Sequence, residues 1–125
     1  MSESTEPSQS RPPGLRIVAT PIGNLGDVTM RALEMLRSAD LIACEDTRHT
    51  IRLLQHYQIH RPLISLNEHN EARRTPEIIA RIAGGESVAL VSDAGMPTVS
   101  DPGQRLVHAV VNAGFQRISW KPGLT

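Results

Sequence analysis

The sequence predicts an α/β domain: a mainly parallel sheet with helices on both faces. Three observations lead there. Short apolar runs of strand length alternate along the chain with segments whose apolar residues recur at helical spacing. Clusters of Gly, Pro, Asn and Asp separate them, and capping residues stand where the helical patterns begin. A length of 125 residues with 39% apolar content suits one domain with one modest core. Strand–helix alternation of this kind gives a parallel sheet. Neither an internal repeat nor a heptad pattern is visible.

Element by element, the chain opens on "MSESTEPSQSRPPG", residues 1–14, which is polar and rich in Ser and Pro and reads as a disordered tail. The domain is expected over residues 15–119. "LRIVAT" reads as the first strand, followed by a helix capped by Asp27 and running to about Arg37, with Val28, Ala32, Leu33 and Leu36 toward one face. "ADLIACE" contains the second strand, and "TRHTIRLLQHYQI" the second helix. "PLISL" is the third strand. A third helix runs to Ala83 and is closed by Gly84 and Gly85. Pro76 lies within that pattern. Either Thr75 caps a helix with Pro76 at its first position, or the helix is kinked there. "SVALVS" is the fourth strand. Asp101, Pro102 and Gln104 read as cap, first-turn proline and capping-box partner of a fourth helix ending before Gly114, and "FQRIS" is the fifth strand.

Composition excludes several classes of function. Lys plus Arg and Asp plus Glu number 13 each, so the chain is not globally basic, although a local basic face would not show in the total. Tyr57, Phe115 and Trp120 are the only aromatic residues, too few for a base-stacking platform. Cys44, the single cysteine, lies in an apolar run and reads as a buried small hydrophobe in a reducing compartment. No apolar run approaches the ~20 residues of a membrane span, and the N-terminus lacks the order of a signal peptide. The expectation is a soluble cytoplasmic protein.

Parallel sheets bind ligands beyond the carboxyl ends of their strands, so the loops leaving each strand carry the functional candidates. The first, "TPIGNLGD", holds Pro21, Gly23 and Asn24. It is neither G-x-G-x-x-G nor a P-loop, and turn chemistry explains it as well as ligand binding does. The second, "EDTRHT", gathers Glu45, Asp46, Arg48 and His49. It is either a solvated helix start capped by Asp46 or Thr47, or a polar patch that orients a substrate. The third, "NEHNEARR", adds Glu68 and His69, without the spacing of a metal site. His56, His60 and His108 read as surface or packing residues. In the fourth, "VSDAGMPTVSDPG", the helix start accounts for Asp101 and Pro102. It does not account for Asp93, Ala94 and Gly95, where a small-residue turn off a buried strand would let a ligand meet the backbone.

The stretches "VATPIGNLGDVTMRALEMLRSADLIACEDTRHT", "SLNEHNEA" and "VALVSDAGMPTVSDPG" closely resemble the bacterial ribosomal RNA small subunit methyltransferase I family, within the tetrapyrrole methylase superfamily. The resemblance runs from about Leu15 to Gly114. "DAGMPTVSDPG" is its most specific motif, and "EDTRHT" sets it apart from relatives that methylate porphyrin-like rings. The resemblance implies the N-terminal domain of such an enzyme, S-adenosylmethionine as methyl donor, and transfer to the 2′-oxygen of a cytidine ribose in the 16S rRNA of the small (30S) subunit. It also implies a homodimer in full-length form. It assigns Pro21, Gly23, Asn24, Asp93, Ala94 and Gly95 to the cofactor, and Glu45, Asp46, Arg48 and His49 to the side where substrate approaches. Family members continue into a second domain opened by a segment like P-x-P-G-P-S-A. Here "SWKPGLT" keeps Pro122 and Gly123 but has Trp120 and Leu124 at flanking prolines. Residues 120–125 are therefore expected to begin an inter-domain segment that this chain truncates.

The chemistry so implied needs little from the protein beyond placement, because a sulfonium methyl donor is already activated. A ribose hydroxyl is a weak nucleophile that a general base helps. Arg48 is expected on phosphate, and His49 or Glu45 at the hydroxyl proton. The alternatives are a methylase of a tetrapyrrole small molecule, and a truncated chain without catalysis.

Overall fold

The computed structural model describes residues 13–21, 23–93 and 101–120. The expected tail, apart from its last two residues, and the segment after Trp120 lie outside them, as do Ala94 and Gly95. The order is β1 (Gly14–Thr20), a 3₁₀ turn (Leu25–Asp27), α1 (Met30–Arg37), β2 (Leu41–Cys44), α2 (Thr47–His56), β3 (Leu63–Ser65), α3 (Glu71–Ala83), β4 (Ser87–Asp93), α4 (Asp101–Asn112) and β5 (Arg117–Trp120). The strands form one five-stranded sheet in the order β3-β2-β4-β1-β5. Every pairing is parallel, with Thr20 opposite Asp93 and Ala43 opposite Leu90.

That order dictates which helices share a face. Right-handed crossovers moving the same way across a sheet lie on the same side. The links β1→β2 and β2→β3 move one way, and β3→β4 and β4→β5 move the other. The core divides accordingly. Val18, Ile42 and Ala89 pack with Ala32, Leu33 and Leu36 of α1 and Leu53 and Leu54 of α2. Leu15, Ile17, Leu41, Ala43, Val88 and Leu90 pack with Ile78 and Ile82 of α3 and Leu106, Val107 and Val110 of α4. Burial on both faces explains why "LIAC" and "VALV" are apolar without alternation.

Local chemistry sets the boundaries. Residues 25–27 are taken up by a 3₁₀ turn capped by Asn24, so Asp27 does not cap α1 as expected. Thr29 does, its hydroxyl accepting from the Ala32 amide at 3.1 Å. Asp46 caps α2, accepting from the His49 amide at 3.1 Å. Thr75 caps nothing. α3 begins four residues before it, at Glu71, and runs through Pro76. Its extension is anchored at both ends. Ile78 and Ile82 are buried against the sheet, and the Arg105 guanidinium of α4 donates to both carboxylate oxygens of Glu71. A bidentate pair of that kind is directional as well as charged, and it holds the Glu71 carboxyl below the usual carboxylate range. At the start of β1, Gly14 has φ +145°, and a Cβ there would stand 2.8 Å from the Gln116 carbonyl oxygen. Only glycine lets the chain pass that close to the approach to β5.

Candidate functional site

The site follows from the strand order. β4 lies between β2 and β1, and its exit leads to α4 on one face of the sheet. The exits of β1 and β2 lead to α1 and α2 on the other face. Neighbouring exits that part in this way open a crevice beyond the carboxyl ends of the strands. Pro21, Gly23 and Asn24 follow β1, Glu45 to His49 follow β2, and Asp93 ends β4. Asp93 is in register with Thr20, so it stands beside the start of the first loop.

One contact joins the first two loops across the end of β4. His49 Nε2 lies 3.0 Å from the Pro21 carbonyl oxygen. A carbonyl only accepts, so Nε2 carries the hydrogen, and in the neutral ring Nδ1 is the remaining basic atom. At the far end of α2 the Tyr57 hydroxyl donates to the Leu25 carbonyl at 2.5 Å. Residues at the two ends of α2 thus hold the two ends of the loop after β1. Within that loop Asn24 Oδ1 accepts from the Gly26 amide at 2.9 Å, which shapes the turn. Among the described residues nothing stands within 4 Å of a Cβ placed on Gly23, and Gly23 is exposed, so its backbone is accessible to a ligand. Glu45 and Arg48 are exposed, and His49 is half-buried.

The structure separates the roles of the "EDTRHT" residues. Asp46 is the helix cap, one of the alternatives the sequence left open. Behind it Cys44 is buried, and burial pushes its thiol up. A hydrogen bond with the Thr50 hydroxyl pulls the other way, and the Asp46 charge pushes up again. A thiol held protonated is no nucleophile. In the third loop, Asn67 and Asn70 build a reciprocal turn. Asn67 Oδ1 accepts from the amides of His69 at 2.9 Å and Asn70 at 3.1 Å, while Asn70 Oδ1 accepts from the Asn67 amide at 2.9 Å. Asn70 Nδ2 donates to the Ser65 carbonyl at 3.2 Å and hydroxyl at 3.0 Å, tying the turn to β3. Glu68 and His69 are left exposed. Among the described residues no group of three His, Cys, Asp or Glu side chains is placed to hold a metal ion. No helix among them is long and apolar enough to cross a membrane.

The sequence did not reveal the contacts of Tyr57 and Thr50 or the reciprocal bonds of the Asn67–Asn70 turn. The N-x-x-N spacing was a usable signal for the last. Nothing local marks Tyr57, whose acceptor is 32 residues away.

The crevice and the sheet around it define an α/β domain of the kind that binds ligands beyond its strand ends. The chain belongs to the tetrapyrrole (corrin/porphyrin) methylases, whose family pattern matches residues 14–125. It is 57% identical over 111 residues to a protein of Synechocystis sp. named ribosomal RNA small subunit methyltransferase I, covering 89% of this chain and 39% of that protein. A protein of the same name from Escherichia coli O157:H7 is 49% identical over 114 residues, covering 91% of this chain and 39% of its own length. The chain therefore spans about two fifths of the length of these relatives. Uroporphyrin-III-C-methyltransferase from Thermus thermophilus has the same fold, with a TM-score of 0.65 at 24% identity over 90% of this chain and 48% of that one.

Proposed function

We propose that this chain forms the N-terminal domain of an S-adenosylmethionine-dependent methyltransferase whose acceptor is the 2′-oxygen of a cytidine ribose in small-subunit ribosomal RNA. The observation that carries the reading is the His49–Pro21 contact. It brings the charged loop after β2 to the glycine-containing loop after β1, beside Asp93. The likeness to proteins named ribosomal RNA small subunit methyltransferase I supports RNA as the acceptor class. The enzyme would act in the cytoplasm on the 30S subunit, as a homodimer in its full-length form.

The donor supplies an electrophilic methyl group on a positively charged sulfur. The chain's residues fit it. Gly23 is exposed and uncrowded among the described residues, and the Asp93 carboxylate favours a cation beside it. Ala94 and Gly95, outside the described residues, complete the donor wall in this reading. Arg48 holds an acceptor phosphate. Glu45 or His49 Nδ1 takes the hydroxyl proton as the ribose oxygen bonds to the methyl carbon and the carbon–sulfur bond breaks. With the reactants aligned, placement supplies most of the acceleration.

Calorimetry with S-adenosylmethionine, followed by transfer of a labelled methyl group to small ribosomal subunits or to uroporphyrinogen, tests the reading. Donor binding with label in ribosomal RNA is the expected result. Label in the tetrapyrrole would assign the other acceptor, and an absence of donor binding would assign a non-catalytic domain. In an active full-length form, Glu45→Gln and His49→Ala should lower turnover, by about 100-fold or more for the residue that is the general base, and by more than they weaken donor binding. Unchanged rates in both would remove these residues from the mechanism.

A further inference from the structure

The balanced charge of the chain hides an uneven distribution. From Thr47 to Asn67 the sequence has no Asp or Glu, yet it carries Arg48, Arg52, Arg61, His49, His56 and His60. All 13 acidic residues lie outside this stretch. The stretch is α2, the connection after it, and the edge strand β3. Thr50, Leu53 and Leu54 turn the buried face of α2 inward, so Arg48 and Arg52, one turn apart, share the exposed face with Ile51 and Gln55. Arg61 is exposed on the connection to β3. Arg31, Arg74, Arg81 and Arg105 each pair with a glutamate, whereas Arg48, Arg52 and Arg61 are in no ion pair among the described residues. Long cationic side chains left unneutralised along one face make a local positive field in a neutral protein.

We propose that the exposed face of α2 and the α2–β3 connection form a strip that holds the phosphate backbone of single-stranded RNA and leads it to the crevice. This rests on the RNA reading of the site, which Arg48 shares with the strip. The chemistry favours backbone over base recognition. Guanidinium forks match phosphate, and Tyr57, the one Phe, Tyr or Trp of the stretch, is half-buried with its hydroxyl committed to Leu25. It favours RNA over a membrane surface as well. A helix lying in a membrane buries its apolar face in lipid, and that of α2 is already buried in the domain core. Ile51, 42% exposed, is its only exposed large apolar residue. Binding along the strip is therefore salt-dependent and indifferent to base sequence.

The test is a titration of the chain with a short unstructured RNA at increasing salt. Removing one phosphate-binding cation makes the slope of log affinity against log salt shallower by about 0.7 for a single strand. Arg52→Gln and Arg61→Gln should each do so, Arg52→Lys should restore the slope, and Arg81→Gln on the opposite face should leave it unchanged. No RNA binding by the wild type, equal slopes in all variants, or binding to phosphatidylserine vesicles in place of RNA would overturn the strip. Shallower slopes without methyl transfer to RNA would uphold it and remove the methyltransferase reading. Methyl transfer with unaltered slopes would do the reverse.

Discussion

His49 donates its Nε2 hydrogen to the Pro21 carbonyl and Tyr57 its hydroxyl to the Leu25 carbonyl, so the loop after β1 depends on two side chains far away in sequence. A hydrogen bond of this kind contributes about 1 kcal/mol net. Tyr57→Phe should therefore destabilise the domain by about that amount in urea unfolding, and it should weaken donor binding through the same loop. Unchanged stability and affinity would mean the loop holds itself. Gly23→Ala separates the two effects. With no described residue within 4 Å of the added Cβ, it should leave the unfolding midpoint in place and still reduce donor affinity, because the methyl enters the space assigned to the ligand. Cys44 gives a pH-dependent prediction. Its folded thiol titrates above the ordinary value of 9.0, so its contribution to stability is complete below that value and is lost as the pH rises beyond it through the higher folded pKa. Unfolding of wild type and Cys44→Ala as a function of pH should show a steeper alkaline decline in the wild type.

At the scale of elements, the sequence made existence and order legible, misplaced one cap and left one helix start open between two readings. "GDVT" offers both Asp27 and Thr29 as caps. The choice falls on Thr29 because the Asn24 side chain closes a 3₁₀ turn that consumes Asp27. "RTPE" looks like a helix start, but Ile78, Ile82 and the Glu71–Arg105 pair extend α3 to either side of it. Those partners come from the sheet and from α4, which no local window includes. Pro76 is thus the sixth residue of a 13-residue helix, past the first turn where proline is tolerated. It has no amide to donate to the Ala72 carbonyl. An interior proline costs up to ~3 kcal/mol against alanine, and its effect on the unfolded chain offsets part of that. Pro76→Ala should raise stability by about 1–2 kcal/mol. A loss of stability would show that α3 needs the proline's geometry.

At the scale of the whole molecule, strand–helix alternation was enough to give the fold class, because only a parallel sheet accommodates it. The strand order was not legible. It depends on which apolar strand pairs with which, and "LIAC", "VALV" and "RIVA" are chemically interchangeable for that purpose. The order is nevertheless what makes the site. With β4 between β2 and β1, the loops after β1 and β2 meet across its end, and the crevice opens where α4 departs to the other face. The same placement puts the acid-free stretch of α2 at the mouth of that crevice. In the proposed reaction a methyl group is delivered there to a ribose 2′-oxygen. The most direct measurement uses labelled S-adenosylmethionine and small ribosomal subunits, followed by alkaline hydrolysis of the RNA. A methylated 2′-oxygen cannot attack the adjacent phosphodiester, so label is expected in an alkali-resistant dinucleotide that begins with cytidine. Label released as mononucleotide would place the methyl group on a base and contradict the proposed reaction.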